Sequence, residues 1–293
     1  MNKSERFGEN MFLAPSLIIF IVLSISSLIF VLVMSFGRLN LGKFSFIFTG
    51  LSNWIDLFKD PFFRISIRNV FVIVICSVMA QYWIGLGLAH LVNRIAFGQR
   101  WIRLVILLPM MCSPVVVGFM WKMLFLEAYG PLNYFLNAIG LPSVSWLSNP
   151  KLAMMSVIIA EVWEWTPFVF IFMLAALKSL SPEPFEAAHI DGATKWEIFR
   201  HITLPLLAPI SSAIILFRCI ETFKSFDIVF ILTAGGPGTA TLVPTLYAYS
   251  RGLRGFDLGF ASANSITLFI IITIFAIIFL GAGKKVSPDL SGN

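Results

Sequence analysis

The residues able to do chemistry in this sequence are few, and most stand in apolar surroundings. Glu161 and Glu164 lie three residues apart, so on a helix they are neighbours on one face, with Trp163 and Trp165 beside them. A helix begun at Leu152 rises about 1.5 Å per residue, which puts Glu161 near the middle of a membrane-spanning segment. Carboxylates accept hydrogen bonds from hydroxyl groups and indoles offer flat apolar faces, so these four could line a polar cavity. They could equally be interhelical partners for Arg218 or Lys122 that hold helices in register, because ionisable groups inside a membrane serve either purpose. Arg218, Glu221, Lys224 and Asp227 follow in steps of three. Each step turns about 300° on a helix, so the four drift around it, while Arg218 with Glu221 and Lys224 with Asp227 can still pair. An ion-pair ladder and a set of gate residues are the two readings of that run.

Chemistry of the catalytic kind is not spelled out. No nucleophile stands with a base and an orienting acid, and His189 and His201 read as surface contacts. Cys76, Cys112 and Cys219 lie singly in apolar runs without metal or disulfide spacing. The stretch Gly37–Phe44 comes close to a phosphate-cradling GxxxxGK, yet Phe44 stands where Ser or Thr would hold magnesium, and an apolar helix precedes it instead of a strand. The sequence therefore predicts no ATP site and no cofactor of its own, and any hydrolysis would have to come from a partner.

The elements that must carry these residues are membrane spans. Of 293 residues, 58% are hydrophobic and only 12% are charged, about half the usual charged share of a soluble domain. The net charge of +6 is not gathered into a basic patch interleaved with aromatics, so nucleic acid is not an expected partner. Spans are predicted at Met11–Phe36, Val70–Val92, Leu104–Leu126, Leu152–Leu177, Leu206–Ala234 and Leu258–Gly283. The first is too long an apolar run for a cleaved signal peptide, whose core is about 7–15 residues. Pro109 and Pro114 predict a kink in the third, and Gly85 and Gly87 predict close helix packing in the second. An amphipathic piece is expected in the loop Gly37–Asn69. Trp101, Trp146 and Trp196 near span ends read as interfacial anchors.

Between the fourth and fifth spans lies a polar island, SPEPFEAAHIDGATKWEIFRHITLP, from Ser181 to Pro205. Ser181 can cap a helix with Pro182 at its first position and Glu183 and Glu186 in its first turn. Gly192 interrupts that helix after Asp191, and Thr194 with Glu197 has the spacing of a capping box that starts a second. Ala187 and Ala188 leave a small-residue face that another protein could approach closely.

Glu186, Ala187, Ala188 and Gly192, then Ile202, Leu204 and Pro205, resemble the E-A-A-x3-G-x9-I-x-L-P cytoplasmic loop of ATP-binding-cassette importer permeases, with Asp191 inside the motif. Further similarity to sugar-type permeases lies in Trp163–Phe168, Phe226-Asp227, Leu232–Gly238 and Gly259–Ala263. Phe12–Ser16 and Gly50–Trp54 resemble the maltose or glycerol-phosphate "first permease" type, so the likeness covers nearly the whole chain. The resemblance implies an all-α type I importer permease with six transmembrane helices and a coupling helix seated in a cleft of a separate ATPase. It implies as partners a second permease, two ATPase subunits that bind ATP and magnesium, and an extracytoplasmic solute-binding protein delivering a sugar or oligosaccharide. On this reading Glu186, Ala187, Ala188, Asp191, Gly192, Ile202, Leu204 and Pro205 couple to the ATPase. Glu161, Trp163, Glu164, Trp165, Arg218, Glu221, Lys224 and Asp227 are then candidates for the translocation path.

Six spans put both termini on one side, and the resemblance makes that side the cytoplasm of a bacterial inner membrane. Residues 1–10 and 284–293 are then cytoplasmic ends flanking the 11–283 permease domain, whose coupling loop is 181–205. Ten Lys and Arg on that side against eight on the other agree with the positive-inside rule without deciding the orientation. Two alternatives stay open: an importer permease for another solute, such as glycerol phosphate or an amino acid, and an ion-coupled secondary transporter or channel.

Overall fold

The computed structural model describes residues 3–40, 45–95 and 97–286 of the chain, with side chains over 15–39, 45–95 and 97–282. Residues up to Phe63 with Tyr247–Ile270 form one compact unit, and Arg64–Leu246 with the residues from Ile271 onward form another.

The first unit begins with α1 (Lys3–Ser35), whose span Pro15–Ser35 has its apolar side chains exposed all round. A two-stranded antiparallel hairpin follows, β1 (Gly37–Asn40) against β2 (Ser45–Phe48), where the sequence predicted only a loop. The end of α1 and the start of β1 are held by Asn53 of α2 (Ser52–Lys59), whose Nδ2 donates to the carbonyls of Ser35 at 3.0 Å and Gly37 at 2.9 Å. The amphipathic piece expected in this loop is α2, with Leu57 buried and Ile55 and Phe58 exposed. Leu41–Phe44, the second half of the phosphate-loop near-match, lies outside the described residues, as do Met1, Asn2 and residues 287–293 of the predicted ends.

The long helix α3 (Pro61–Asn93) enters the second unit at Arg64. Then come α4 (Gln99–Met111) and α5 (Pro114–Leu124), the two halves of the third predicted span. Here the sequence predicted a kink and the structure has a 94° break. Cys112 and Ser113 are extended, because the ring of Pro114 crowds the residue before it out of the helical region and then starts α5 with its preset φ. The loop beyond carries α6 (Pro131–Ala138) and is held by buried Asn133. That amide donates to Glu127 O and Val144 O and accepts from Val144 N and Trp146 Nε1, all at 3.0 Å.

Helix α7 (Pro150–Ser179) starts where Asn149 accepts from the amides of Lys151 and Leu152, with Pro150 at its first position. After the short helices α8 (Glu183–Ile190) and α9 (Lys195–Ile198), a π-helical turn at Phe199–Thr203 runs into α10 (Leu204–Phe223). The fifth predicted span therefore ends at Phe223 and not at Ala234. The remainder forms a separate helix, α11 (Asp227–Leu232), packed on α5 so closely that a Cβ on Gly118 would meet Ile231 at 2.9 Å. Then come α12 (Pro244–Tyr249) and α13 (Leu258–Val286). Among the described residues five helices are long and apolar enough to cross a membrane, or six if the bent α4–α5 pair counts as one broken span. In such a setting every backbone amide must be satisfied within the chain, which is why helices dominate.

The core that positions the site joins α3, α7 and α10: Tyr82, Leu86 and Ala89 pack on Val169, Phe170 and Met173, with Leu207 and Ile214 closing it. Gly85 permits this approach, since a Cβ there would sit 2.8 Å from Val169 Cβ. Gly87, predicted to do the same, has open space at its Cβ position.

Candidate functional site: a charged cavity and an exposed helical hook

Where α7, α10 and α11 converge beside the start of α5, a cavity of about 270 Å³ is lined by Glu161, Glu164, Trp165, Arg218, Glu221, Lys224 and Asp227, together with Pro114, Ser225, Phe226 and Ile228. That volume is slightly below the usual range of complete ligand pockets. Seven of the eight residues proposed for a path thus share one cavity. Trp163 does not: it lines a separate apolar pocket with Trp121, Val105 and Pro109. At about 100° per residue, Glu161, Glu164 and Trp165 fall within about 100° of one another on α7 and Trp163 points to the opposite side.

Arg218 is the centre of the cavity wall and is 1% exposed. Its Nε donates to Gln81 Oε1 at 3.0 Å, and its Nη2 donates to Glu161 Oε1 at 2.9 Å and Thr222 Oγ1 at 3.0 Å. The guanidinium lies over the Trp165 ring, 4.3 Å from its centroid. Gln81 completes the frame by donating Nε2 to the Glu161 backbone carbonyl at 3.0 Å. Three helices, α3, α7 and α10, are therefore tied through one cation. From sequence Arg218 had two possible partners, Glu221 three residues on or an acid of the fourth span. The structure sends Arg218 inward to Glu161, because its side of α10 faces the core. Glu221 pairs with Lys224 at 2.7 Å on the more open side, and Lys224 ends its helix, so Asp227 belongs to another element. Lys122 donates to Ile231 O at 2.9 Å and meets no acid among the described residues.

Two polar atoms in this wall have no hydrogen-bond partner among the described residues: Glu164 Oε2 and Arg218 Nη1, both buried. Gln81, Thr222 and Ser225 were missed by sequence reasoning. A lone Gln in an otherwise apolar span was the available signal for the first. Thr222 in a helix and Ser225 in the break between α10 and α11 are ordinary residues and gave none.

The second feature is the segment after α7. Pro182, not Ser181, stands at the start of α8, and no side chain caps it. At the other end Gly192 takes φ +77°, which L side chains avoid, and lets the chain turn back. Gly192 N donates to His189 O and Ala193 N to Ala188 O, the paired bonds of a Schellman ending. The Thr194 and Glu197 capping box forms as predicted: Thr194 N donates to Glu197 Oε2 at 2.8 Å and Glu197 N to Thr194 Oγ1 at 3.4 Å. Glu197 is fully exposed, and these bonds from Thr194 hold its carboxyl below the usual range. The widened turn at Phe199–Thr203 answers Pro205, which has no N–H to offer His201 O and whose ring crowds that carbonyl. The result is a rigid hook with Glu186, Ala187, Asp191, Gly192 and Pro205 exposed and Ala188, Ile202 and Leu204 half-buried. Ile190 and Trp196 stand out from it, 87% and 65% exposed.

Residues 81–288 match the family model described as the binding-protein-dependent transport system inner membrane component. The chain is 38% identical over 218 residues to the probable ABC transporter permease protein y4oQ of Sinorhizobium fredii, covering 74% of this chain and 70% of that protein. It is 34% identical over 237 residues to the trehalose/maltose transport system permease protein MalF of Thermococcus litoralis, covering 81% and 80%. Among solved structures, a chain of a bacterial alginate ABC transporter in complex with alginate pentasaccharide-bound periplasmic protein superposes with a TM-score of 0.84 at 23% identity. That match covers 97% of this chain and 96% of the other and shows a shared fold.

Proposed function

We infer the role of this chain from the fact that it belongs to the family of binding-protein-dependent transport system inner membrane components. It is a multi-pass transport subunit of the ABC importer type, and the solute we propose for it is a sugar or oligosaccharide. The trehalose/maltose permease relative and the arabinooligosaccharides transport system permease AraP of Halalkalibacterium halodurans, 31% identical over 288 residues, support that choice. In this proposal the chain pairs with a second permease, two ATPase subunits carry ATP and magnesium, and an extracytoplasmic binding protein hands over the solute. Both termini and the Ser181–Pro205 hook face the cytoplasm of a bacterial inner membrane.

The observation that carries the mechanism is continuity between hook and cavity. From Lys195 to Phe223 the chain is helical without a break, so the second part of the hook and Arg218 belong to one rod, to which α8 is joined through the turn at Gly192. At about 1.5 Å per residue, some 35 Å separate Thr194 from Arg218. Closure of the ATPases on Ala187, Ala188 and Gly192 would move that rod as a body. Arg218 would then carry α7 and α3 with it through Glu161 and Gln81, turning the cavity from one side of the membrane to the other. The small cavity volume supports a path completed by the second permease.

The test is co-purification from native membranes in mild detergent, followed by ATP hydrolysis with candidate oligosaccharides and their binding protein. A second permease and an ATPase, with solute-stimulated hydrolysis, are expected. A chain that purifies alone and supports flux driven by an ion gradient would refute the reading.

A further inference from the structure

We propose that this chain holds one anionic phospholipid at the end of the second unit that leads into the hook, with the lipid phosphate on Arg103 and Lys178 and an acyl chain in the groove between α3, α4 and α7. The site stands apart from the importer reading, and only the choice of leaflet, the cytoplasmic one, follows from the orientation proposed above.

The first observation is a meeting of cations without an acid. Arg103 Nη2 and Lys178 Nζ both donate to Gln99 Oε1, the second at 3.0 Å. That amide is held from behind, because its Nε2 donates to Val92 O at 3.1 Å, and also to Ile95 O, where α3 ends. Two groups that each stand one hydrogen bond from the same oxygen lie within about 6 Å of each other, and here both carry a positive charge while the oxygen between them is neutral. None of the ion pairs among the described residues includes Arg103 or Lys178, or Arg94 and Arg100 nearby in the chain. Helix α4 also begins here with Gly98 at its N-cap, which has no side chain to serve the first amides, so the helix dipole adds to the positive potential. Arg103 is half-buried and Lys178 exposed, and N–H groups beyond those given to Gln99 are left for an anion. A phosphate accepts from a guanidinium and an ammonium together, which relieves their repulsion.

The second observation is what lies beneath the cations. Arg103, Ile106 and Pro109 follow at three-residue steps along α4, with Ile106 about 4.5 Å further into the span than Arg103. Ile106 and Pro109, with Val105, wall an apolar cavity of about 570 Å³ whose other sides include Ile84 and Leu88 of α3 and Pro167 of α7. That volume lies within the usual range of ligand pockets. Trp101, 71% exposed, stands out beside the cations, and an indole so placed settles at the headgroup level of a membrane. A cation pair at that depth, with an apolar groove running inward from it, matches both ends of a phospholipid. A soluble anion, or an acid offered by a partner protein, would answer the cations and leave the groove unused. Basic pockets between spans on the cytoplasmic side take anionic headgroups by the same attraction.

The experiment is native mass spectrometry of the purified complex, delipidated and then given equal amounts of palmitoyl-oleoyl phosphatidylglycerol and phosphatidylcholine. A chain that purifies alone is measured in the same way, so failure of the importer reading shows as missing partners and failure of this proposal as a missing lipid. Arg103→Gln combined with Lys178→Gln should weaken the binding of one phosphatidylglycerol per copy of this chain by about tenfold or more and leave phosphatidylcholine unchanged. Val105→Trp, at a position 66% exposed, puts a ring into the groove and should release the same lipid with both cations in place. Inorganic phosphate in large excess should not displace it. Unchanged phosphatidylglycerol binding in the double variant or in Val105→Trp, or displacement by inorganic phosphate, would overturn the proposal. So would loss of a partner subunit from the double variant with its lipid count unchanged, which would give the cations to a protein contact.

Discussion

Replacing Arg218 with Met should open the cavity wall, and the cost can be worked from its contacts. The substitution keeps most of the side-chain length but deletes the hydrogen bonds to Gln81, Glu161 and Thr222 and the stacking on Trp165. Glu161, 3% exposed, would keep the Thr222 hydroxyl at 3.3 Å and the Ser225 hydroxyl, but no cation. Breaking a buried ion pair from one side costs about 3–5 kcal/mol, chiefly because the other charge is stranded. Glu161→Gln strands Arg218 in the same way and should cost a similar amount. The double variant strands neither, so its cost should fall well short of the sum, with a coupling of at least about 2 kcal/mol. Cys219, buried next to Arg218, offers a local reporter, and exposed Cys76 and Cys112 serve as internal controls. In the intact complex, thiol labelling read by mass spectrometry should speed up at Cys219 by roughly 150- to 5,000-fold in either single variant, at about 1.4 kcal/mol per factor of ten. Labelling at the other two should not change. Additive effects in the double variant, or a single variant with unchanged Cys219 labelling, would refute the claim that this pair ties the helices together.

Three further outcomes follow from the geometry. Gly192→Val forces a β-branched residue to φ +77°, at a cost of about 1–2 kcal/mol. Membrane insertion and basal ATP hydrolysis of the complex should survive while solute-stimulated hydrolysis and uptake are lost, and retained solute-driven uptake would count against the hook as coupling element. Thr194→Ala removes one half of the capping box, worth about 1 kcal/mol, and hydrogen exchange should show the Glu197 amide exchanging roughly fivefold faster. Gly85→Ala and Gly87→Ala are the same change two residues apart. Thermal unfolding in detergent should show the first destabilised by about 1–3 kcal/mol through overpacking on Val169, and the second unchanged or stabilised by up to about 1 kcal/mol.

What was legible in the sequence was what is settled over a few residues. Thr194 and Glu197 cap each other across three positions, Gly192 is needed where the turn takes positive φ, and apolar runs of sufficient length become spans. The cavity was half legible. Glu161 and Glu164 stood out by their cost in an apolar setting and as possible partners of Arg218, but Glu161 lies 57 residues from it, and spacing offered Glu221 as well. Which of two near acids wins depends on which side of α10 is packed, and that is a tertiary fact. The end of α10 at Phe223 was hidden for a similar reason, since nothing between Lys224 and Phe226 forbids a helix, and packing of α11 on α5 decides it. Pro109 and Pro114 announced an irregularity but not a right-angle turn.

The π-helical turn at Phe199–Thr203 has a consequence for how the two working parts are indexed to one another. A helix with one widened turn holds one residue more than its regular counterpart of the same length, so the turn fixes the angular phase between the hook at Thr194 and the cavity wall at Arg218. A chain of the same length wound there as a regular helix would turn by about one residue more, roughly 100°, and present the hook that far around the rod axis while leaving every cavity residue in place. The hook would still be well formed and the cavity still lined, but the push would arrive from the wrong side.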